Sequence, residues 1–152
     1  MTVFYKIVKL VKNGVLMIIH IYAKVSFNNI TYYWTTADSN GALRAAAWAD
    51  GGSNDICPVG FSVPTEAELA ADTINATTTT IINKDTAFSS FLKIPVAGYR
   101  NTDNVFNFVD AHIFLWTRSA SGSISRYLAI NSGVNFYNSY RAYAMSVRCI
   151  KN

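Results

Sequence analysis

Ile113-Phe114-Leu115-Trp116-Thr117-Arg118, Tyr127-Leu128-Ala129-Ile130 and Ser146-Val147-Arg148-Cys149-Ile150 are the stretches on which the fold turns. Each is short, rich in β-branched and aromatic residues, and bounded by turn formers, which is the signature of a strand. The Ser/Gly run from Ser119 to Ser125 reads as the turn between the first two, and Val134 to Tyr137 as a further strand. Working back, Lys93 to Arg100 reads as a strand whose Pro95 confines it to an edge. Asn101 to Asn104 is a polar turn, and Val105 to Val109 is a strand after it.

Helical signals lie upstream of these strands. Ala42 to Trp48 is a run of good helix formers. Thr65 followed three residues later by Glu68 is a capping-box pattern, which predicts a helix from Glu66 to Ile74. The β-branched run Thr77-Thr78-Thr79-Thr80 ends it. Asp85 is read as the cap of a second short helix carrying Ala87, Phe88, Phe91 and Leu92. The sum is an α+β chain: twisted short antiparallel strands with two or three short helices at one end.

Composition agrees with that class. Of 152 residues, 51% are hydrophobic and only 14% charged, so apolar material is ample to offset chain entropy and a charge-rich coiled coil is excluded. Aromatics at 14% favour β packing. The net charge of +4 has a local origin: Lys6, Lys9, Lys12 and Lys24 carry it, while nine basic and nine acidic residues balance from residue 25 onward. A nucleic-acid binder spreads its cations along a face of the domain, so no nucleic-acid partner is expected.

The chain divides into residues 1–35, whose lysines carry the net charge, and a domain of residues 36–152. Two readings of the first part stay open. A lysine-bearing start followed by the apolar run Val15 to Ala23 resembles a secretory or anchor-like segment, although the run is too short to span a bilayer. Alternatively, Val3 to Val11 and Val15 to Val25 are the arms of a β-hairpin turning at Asn13-Gly14, with Ile30 to Trp34 a third strand after Asn28-Asn29. The hairpin signals are the stronger. Residues 1–35 would then offer a means of docking to a larger surface or tail protein.

Several motifs together carry a resemblance. Cys57-Pro58-x-Gly60-Phe61-x-Val63-Pro64-Thr65-x-x-Glu68-Leu69 comes first, then Ile94-Pro95-Val96-Ala97-Gly98-Tyr99-Arg100 and Leu115-Trp116-Thr117-Arg118-Ser119. Arg126-Tyr127-Leu128 and Ser146-Val147-Arg148-Cys149-Ile150-Lys151 complete the series. In this order, across Trp48 to Lys151, they resemble the Fibrobacter succinogenes major paralogous domain family. That family is similar to the C-type-lectin-like fold in its formylglycine-generating-enzyme-like branch, and to target domains of diversity-generating retroelements. The chain departs from the family at Ala111 to Leu115 and at Ala144-Met145, where glycines are usual.

The resemblance implies a noncatalytic binding domain of a bacterial surface or phage tail protein, an extracellular or virion setting, and a protein or glycan ligand. It also implies that Cys57 and Cys149, at the two ends of the matched region, are joined in a disulfide. In an oxidising compartment such a bridge persists; in a cytosol the two would be buried thiols.

Chemistry-bearing residues are few. Two His and two Cys make a four-ligand zinc site hard to assemble. Asp110-Ala111-His112 places two polar groups on one face if the segment is a strand, with no third ligand in sight. No Gly-x-Ser-x-Gly elbow and no Glu-Pro-Asn, Gln-Pro-Asp or Trp-Asn-Asp calcium motif occurs. No catalytic residue, metal or cofactor is therefore assigned. The informative stretch is Arg126 to Tyr143, whose Tyr, Asn, Ser and Arg are the residues binding loops favour. Asn131, Asn135, Tyr137, Asn138, Tyr140 and Tyr143 are the expected ligand-binding residues, and Tyr127, Phe136 and Val147 the expected core. Arg100, Arg118 and Arg148 are expected as structural ion-pair or backbone partners. The alternatives are an assembly module without its own ligand, in which the aromatics only pack, and a degenerate enzyme-like domain with a pocket at His112.

Overall fold

The computed structural model describes residues 4–7, 18–22, 38–77, 81–90 and 92–152. Its centre is the hairpin of β6 (Ile113–Ser121) and β7 (Ile124–Ile130), extended by β8 (Val134–Ser139). Strand pairing runs past the expected 119–125 turn: Ser121 pairs with Ile124, and Gly122, at φ 58, supplies the left-handed backbone a two-residue turn requires. The register of β6 against β7 shifts between Trp116 and Ala120. That irregularity frees Thr117 to Ser119 for other partners. Arg118 N–H donates to the Pro64 carbonyl, and the Ser119 hydroxyl accepts from Glu66 N–H. In this way the bulge anchors α2 (Glu66–Ala71) to the sheet.

The sheet is mixed, which corrects the expected antiparallel set. β9 (Ala144–Arg148) lies between β6 and β2 (Ile18–Tyr22) and runs parallel to β6, with Leu115 beside Ser146 and Trp116 beside Val147. Residues 140–143 carry the chain from the edge strand β8 back to the middle of the sheet to reach this position. β1 (Phe4–Ile7) and β2 pair antiparallel, as the hairpin reading expects, and β2 pairs antiparallel with β9. The two N-terminal strands thus extend the same sheet as the rest of the chain. The Asn13-Gly14 turn, the Ile30–Trp34 strand and the boundary at residue 35 lie outside the described residues, as do Thr78 to Thr80 and Phe91.

Alternation gives the sheet two apolar faces. One carries Ile113, Leu115, Leu128 and Ile130, covered by Leu69 of α2, Ala87 of α3 (Lys84–Ser89), Ile81, Leu92 and Ile94. The other carries Phe114, Trp116, Ala129, Met145 and Val147, with Val63, Trp48, Ile56, Tyr99 and Tyr143 against it. Among the described residues no helix is long and apolar enough to cross a membrane.

Local expectations hold unevenly. The capping box at Thr65 and Glu68 is present, but α2 stops at Ala71 rather than Ile74. The cap of α3 is Asn83, whose side chain accepts from Asp85 and Thr86 N–H, and not Asp85. Of Lys93 to Arg100 only Tyr99–Arg100 forms a strand (β4). Pro95 donates nothing, and Lys93 and Gly98 take positive φ, so the chain before Tyr99 cannot stay in a ladder. The Val105 to Val109 strand shrinks to β5 (Phe106–Asn107), paired with β4.

Cys57 and Cys149 are joined by a disulfide, with Cα atoms 5.8 Å apart and a sequence separation of 92. The bridge sits beside a two-stranded ribbon of β3 (Phe61–Ser62) and β10 (Ile150–Lys151).

Candidate functional site

Tyr127 on β7 and Tyr137 on β8 are directly opposed, with ring centroids 6.0 Å apart. Period-two alternation puts both on the face that carries Phe114 and Trp116. From there the rings form a continuous path. Tyr127 meets Phe114 at 5.9 Å, Phe114 meets the edge of Tyr99 at 5.1 Å, and Tyr99 stacks on Tyr143 at 5.4 Å with 17° between planes. Tyr140 meets Tyr143 edge-on at 6.2 Å. The inner rings are partly covered, while Tyr137 is 45% and Tyr140 39% exposed. Burial, with Tyr137, Tyr99 and Tyr143 nearby, raises the Tyr127 hydroxyl above its ordinary pKa, so this ring stays uncharged.

The expected ligand-binding residues do not all join this surface. Asn135 and Tyr137 share its face and are exposed, and Tyr140 borders it. Tyr143 is half-buried against the core and acts as the layer beneath Tyr140. Asn138 points to the opposite face, where its side-chain oxygen accepts from Arg126 at 3.0 Å. Arg126 in turn grips Glu66 through two charge-assisted hydrogen bonds of 2.6 Å, and this pair holds the Glu66 carboxyl below its usual pKa. Asn131 is a turn residue: its side chain accepts from Gly133 N–H at 3.2 Å. It stands at the far end of β8 from Tyr140, with a six-residue strand of roughly 17 Å between them. Of the expected core residues, Val147 is buried, and Tyr127 and Phe136 are half-buried and packed on opposite faces.

A second part of the surface lies outside the expected ligand-binding residues. Val105, Phe106, Phe108 and Val109 are each half or more exposed, and Phe108 lies 6.1 Å from Tyr99. Asn104, Phe108 and Asp110 all have positive φ, a strained state for a bulky residue such as Phe108. The loop is held by Asp110 N–H donating to Val96 O, Gly98 N–H donating to His112 O, and Lys84 Nζ donating to Asp110 O. Gly98, at φ 64, makes the close approach possible: a Cβ there would meet Asn107 O and Val109 N. Gly98→Ala is therefore expected to cost about 1–2 kcal/mol for its backbone state alone, and more for the collision. Thermal unfolding should show a Tm lower by several degrees; an unchanged Tm would contradict the tight loop.

Asp110 and His112 do not form a strand-borne pair. Asp110 sits in a turn, and His112 stacks flat on Phe108 at 4.6 Å. Both cysteines of the chain are in the disulfide, so neither offers a thiolate. Among the described residues no three His, Cys, Asp or Glu side chains gather closely enough to hold a metal.

The loop bearing Tyr140 and Tyr143 is tied down by Arg141. Its guanidinium donates to the Asp38 carboxylate at 3.0 Å and to the Asp38 carbonyl at 2.6 Å, with both side chains 4% exposed. Asp38 also accepts from Leu43 and Arg44 N–H, at the start of α1 (Ala42–Ala47). Arg44 donates to Ser119 O and lies over the Trp48 ring. Burial, with Arg141 nearby and Asp38 opposing, brings its pKa down to about 10. The arginines expected as structural partners divide. Arg118 pairs with Glu68 at 3.5 Å, and Arg100 bonds the Asn104 side chain. Arg148 departs from the expectation: it is buried, its guanidinium has no hydrogen-bond partner among the described residues, and burial lowers its pKa to about 9.

In its chemistry the surface is an aromatic platform with one amide, Asn135, and a strained apolar loop beside it. Comparison with protein-family models, curated proteins and solved structures finds no match for this chain.

Proposed function

We propose that the chain is a noncatalytic, C-type-lectin-like binding domain that holds a protein or glycan ligand on its aromatic platform. The observation that carries the reading is the exposed pair Tyr137 and Tyr140 resting on Tyr127 and Tyr143. Tyrosines backed by other rings lose little side-chain freedom on binding, and each offers a π-face with a hydroxyl at its rim. The assembly-module alternative has these aromatics only packing; two exposed rings and an exposed Phe/Val loop speak for a ligand instead. The site of the ligand is accordingly narrower and differently placed than the residue types suggest: Asn135, Tyr137 and Tyr140 in contact, Tyr143 in support, and Phe106 and Phe108 at one side.

The lectin-like reading is supported by the α+β architecture and by a disulfide that staples the ends of the motif-bearing region. The disulfide also favours an oxidising setting, such as a cell surface or a virion. The degenerate-enzyme reading needs an activated group at His112, which is instead stacked on Phe108.

Arrays of glycans and surface proteins probed with the wild type and with Tyr137→Ala/Tyr140→Ala test the reading. The variant should lose at least tenfold in affinity for whatever the wild type binds, as expected where aromatic anchors dominate an interface, while its unfolding transition moves little. Equal binding by both proteins would remove the platform from the ligand site.

A further inference from the structure

We propose that the outer edge of β8 is a self-association surface, on which a second copy of the chain pairs antiparallel with Tyr137 at the two-fold axis. β8 ends the sheet. Its six residues pair without interruption with β7 and, among the described residues, with no other strand. Every second residue of such a strand turns its N–H and C=O away from the neighbour. Soluble proteins usually guard an edge of this kind with Lys, Pro, a bulge or a cover. Val134-Asn135-Phe136-Tyr137-Asn138-Ser139 has no charge, no proline and no register shift.

The occupant is argued from charge and pattern. Each copy carries a net charge of +4, but the excess lysines all fall within residues 1–24 and the strand itself is uncharged, so no like charges are brought together along the junction. An axis through Tyr137, perpendicular to the sheet, keeps each face continuous across the junction. It sets Tyr137 against its own copy, Asn135 opposite Ser139 and Phe136 opposite Asn138. The Tyr137 pair and the two Asn135/Ser139 pairs are matched in kind and favourable, and no like charges meet. Tyr137 is the most exposed aromatic of the strand, so this register covers more ring surface than one centred on Phe136. The two aromatic platforms then lie side by side on one face. A ladder of this length falls short of the roughly 1,000 Å² of a stable interface, so the dimer is weak, with a Kd on the order of 0.1 mM. The junction shares Tyr137 and Asn135 with the proposed ligand surface, but its test reads mass alone, so failure of the dimer leaves the ligand reading standing and is distinguishable from the failure of that reading.

Sedimentation equilibrium of the full, oxidised chain up to about 1 mM tests it. The wild type should approach twice the chain mass. Asn135→Lys/Ser139→Lys sets lysine against lysine at both junctions and should weaken the dimer at least tenfold. Asn135→Lys/Ser139→Glu sets lysine against glutamate and should restore it; both positions are solvent-accessible, and circular dichroism checks that the fold is retained. A wild type that stays monomeric overturns the proposal, whether or not an unrelated extended peptide binds the edge. So does a dimer that persists in the double-lysine variant. Failure of the lysine–glutamate variant to recover overturns the Tyr137 register.

Discussion

Cys57→Ala/Cys149→Ala is expected to lower the stability of the folded chain by about 2–5 kcal/mol, with a fall in Tm on the order of 10 °C. The bridge closes a loop of 92 positions, and in the chain-entropy view a closure of that length restricts the unfolded ensemble strongly. The folded state depends on it locally as well. Beyond Cys149, the C-terminal residues are held by the two-residue pairing of β10 with β3, by Asn152 N–H donating to Gly60 O, and by the Ser62 hydroxyl donating to the Asn152 side chain. Opposite them, Cys57 packs on the core face that carries Trp116 and Val147. Without the bridge, amide exchange should accelerate first around residues 57–62 and 150–152, ahead of β6 and β7. Calorimetry of the wild type with and without reductant, beside the double variant, checks the magnitude. Equal Tm values would mean that core packing alone fixes these ends.

What could be read in advance follows from how local the determining interactions are. The α2 cap was legible because Thr65 and Glu68 satisfy each other's backbone within four residues. The strands of the β6–β7 hairpin were legible from composition, but their apolar pattern is the same whichever way a neighbour runs. The parallel placement of β9 depends instead on the path of residues 140–143. The position of Asn138 was within reach: alternation alone puts it on the face opposite Tyr137. Its residue type suits a binding loop, but the face it occupies is not the aromatic one. The Phe106–Phe108 loop was not legible, since left-handed backbone at Asn104, Phe108 and Asp110 has no glycine to announce it. Nor was the Asp38–Arg141 pair, whose members stand 103 positions apart with no local trace.

That pair is where fold and platform meet, and Asp38→Ala is expected to cost about 3–5 kcal/mol. The substitution removes the carboxylate that faces the buried Arg141 guanidinium and the acceptor for Leu43 and Arg44 N–H. Burial and the nearby Arg141 already lower the Arg44 pKa, with Asp38 as the counterweight, so without Asp38 two cations face each other in a poorly hydrated site. An apolar replacement of the whole pair behaves differently, because burying neither charge avoids the desolvation cost. Asp38→Ala/Arg141→Met should therefore be less destabilised than the sum of its single variants, and a double-mutant cycle in urea measures the difference. Additive effects would show that the two groups act independently. Arg141 lies between Tyr140 and Tyr143 in the chain, so the single variant should also loosen the loop that presents Tyr140. Ligand affinity and stability should fall together in Asp38→Ala. In Tyr137→Ala/Tyr140→Ala affinity alone should fall, which separates the residues that hold the platform from those that form its surface.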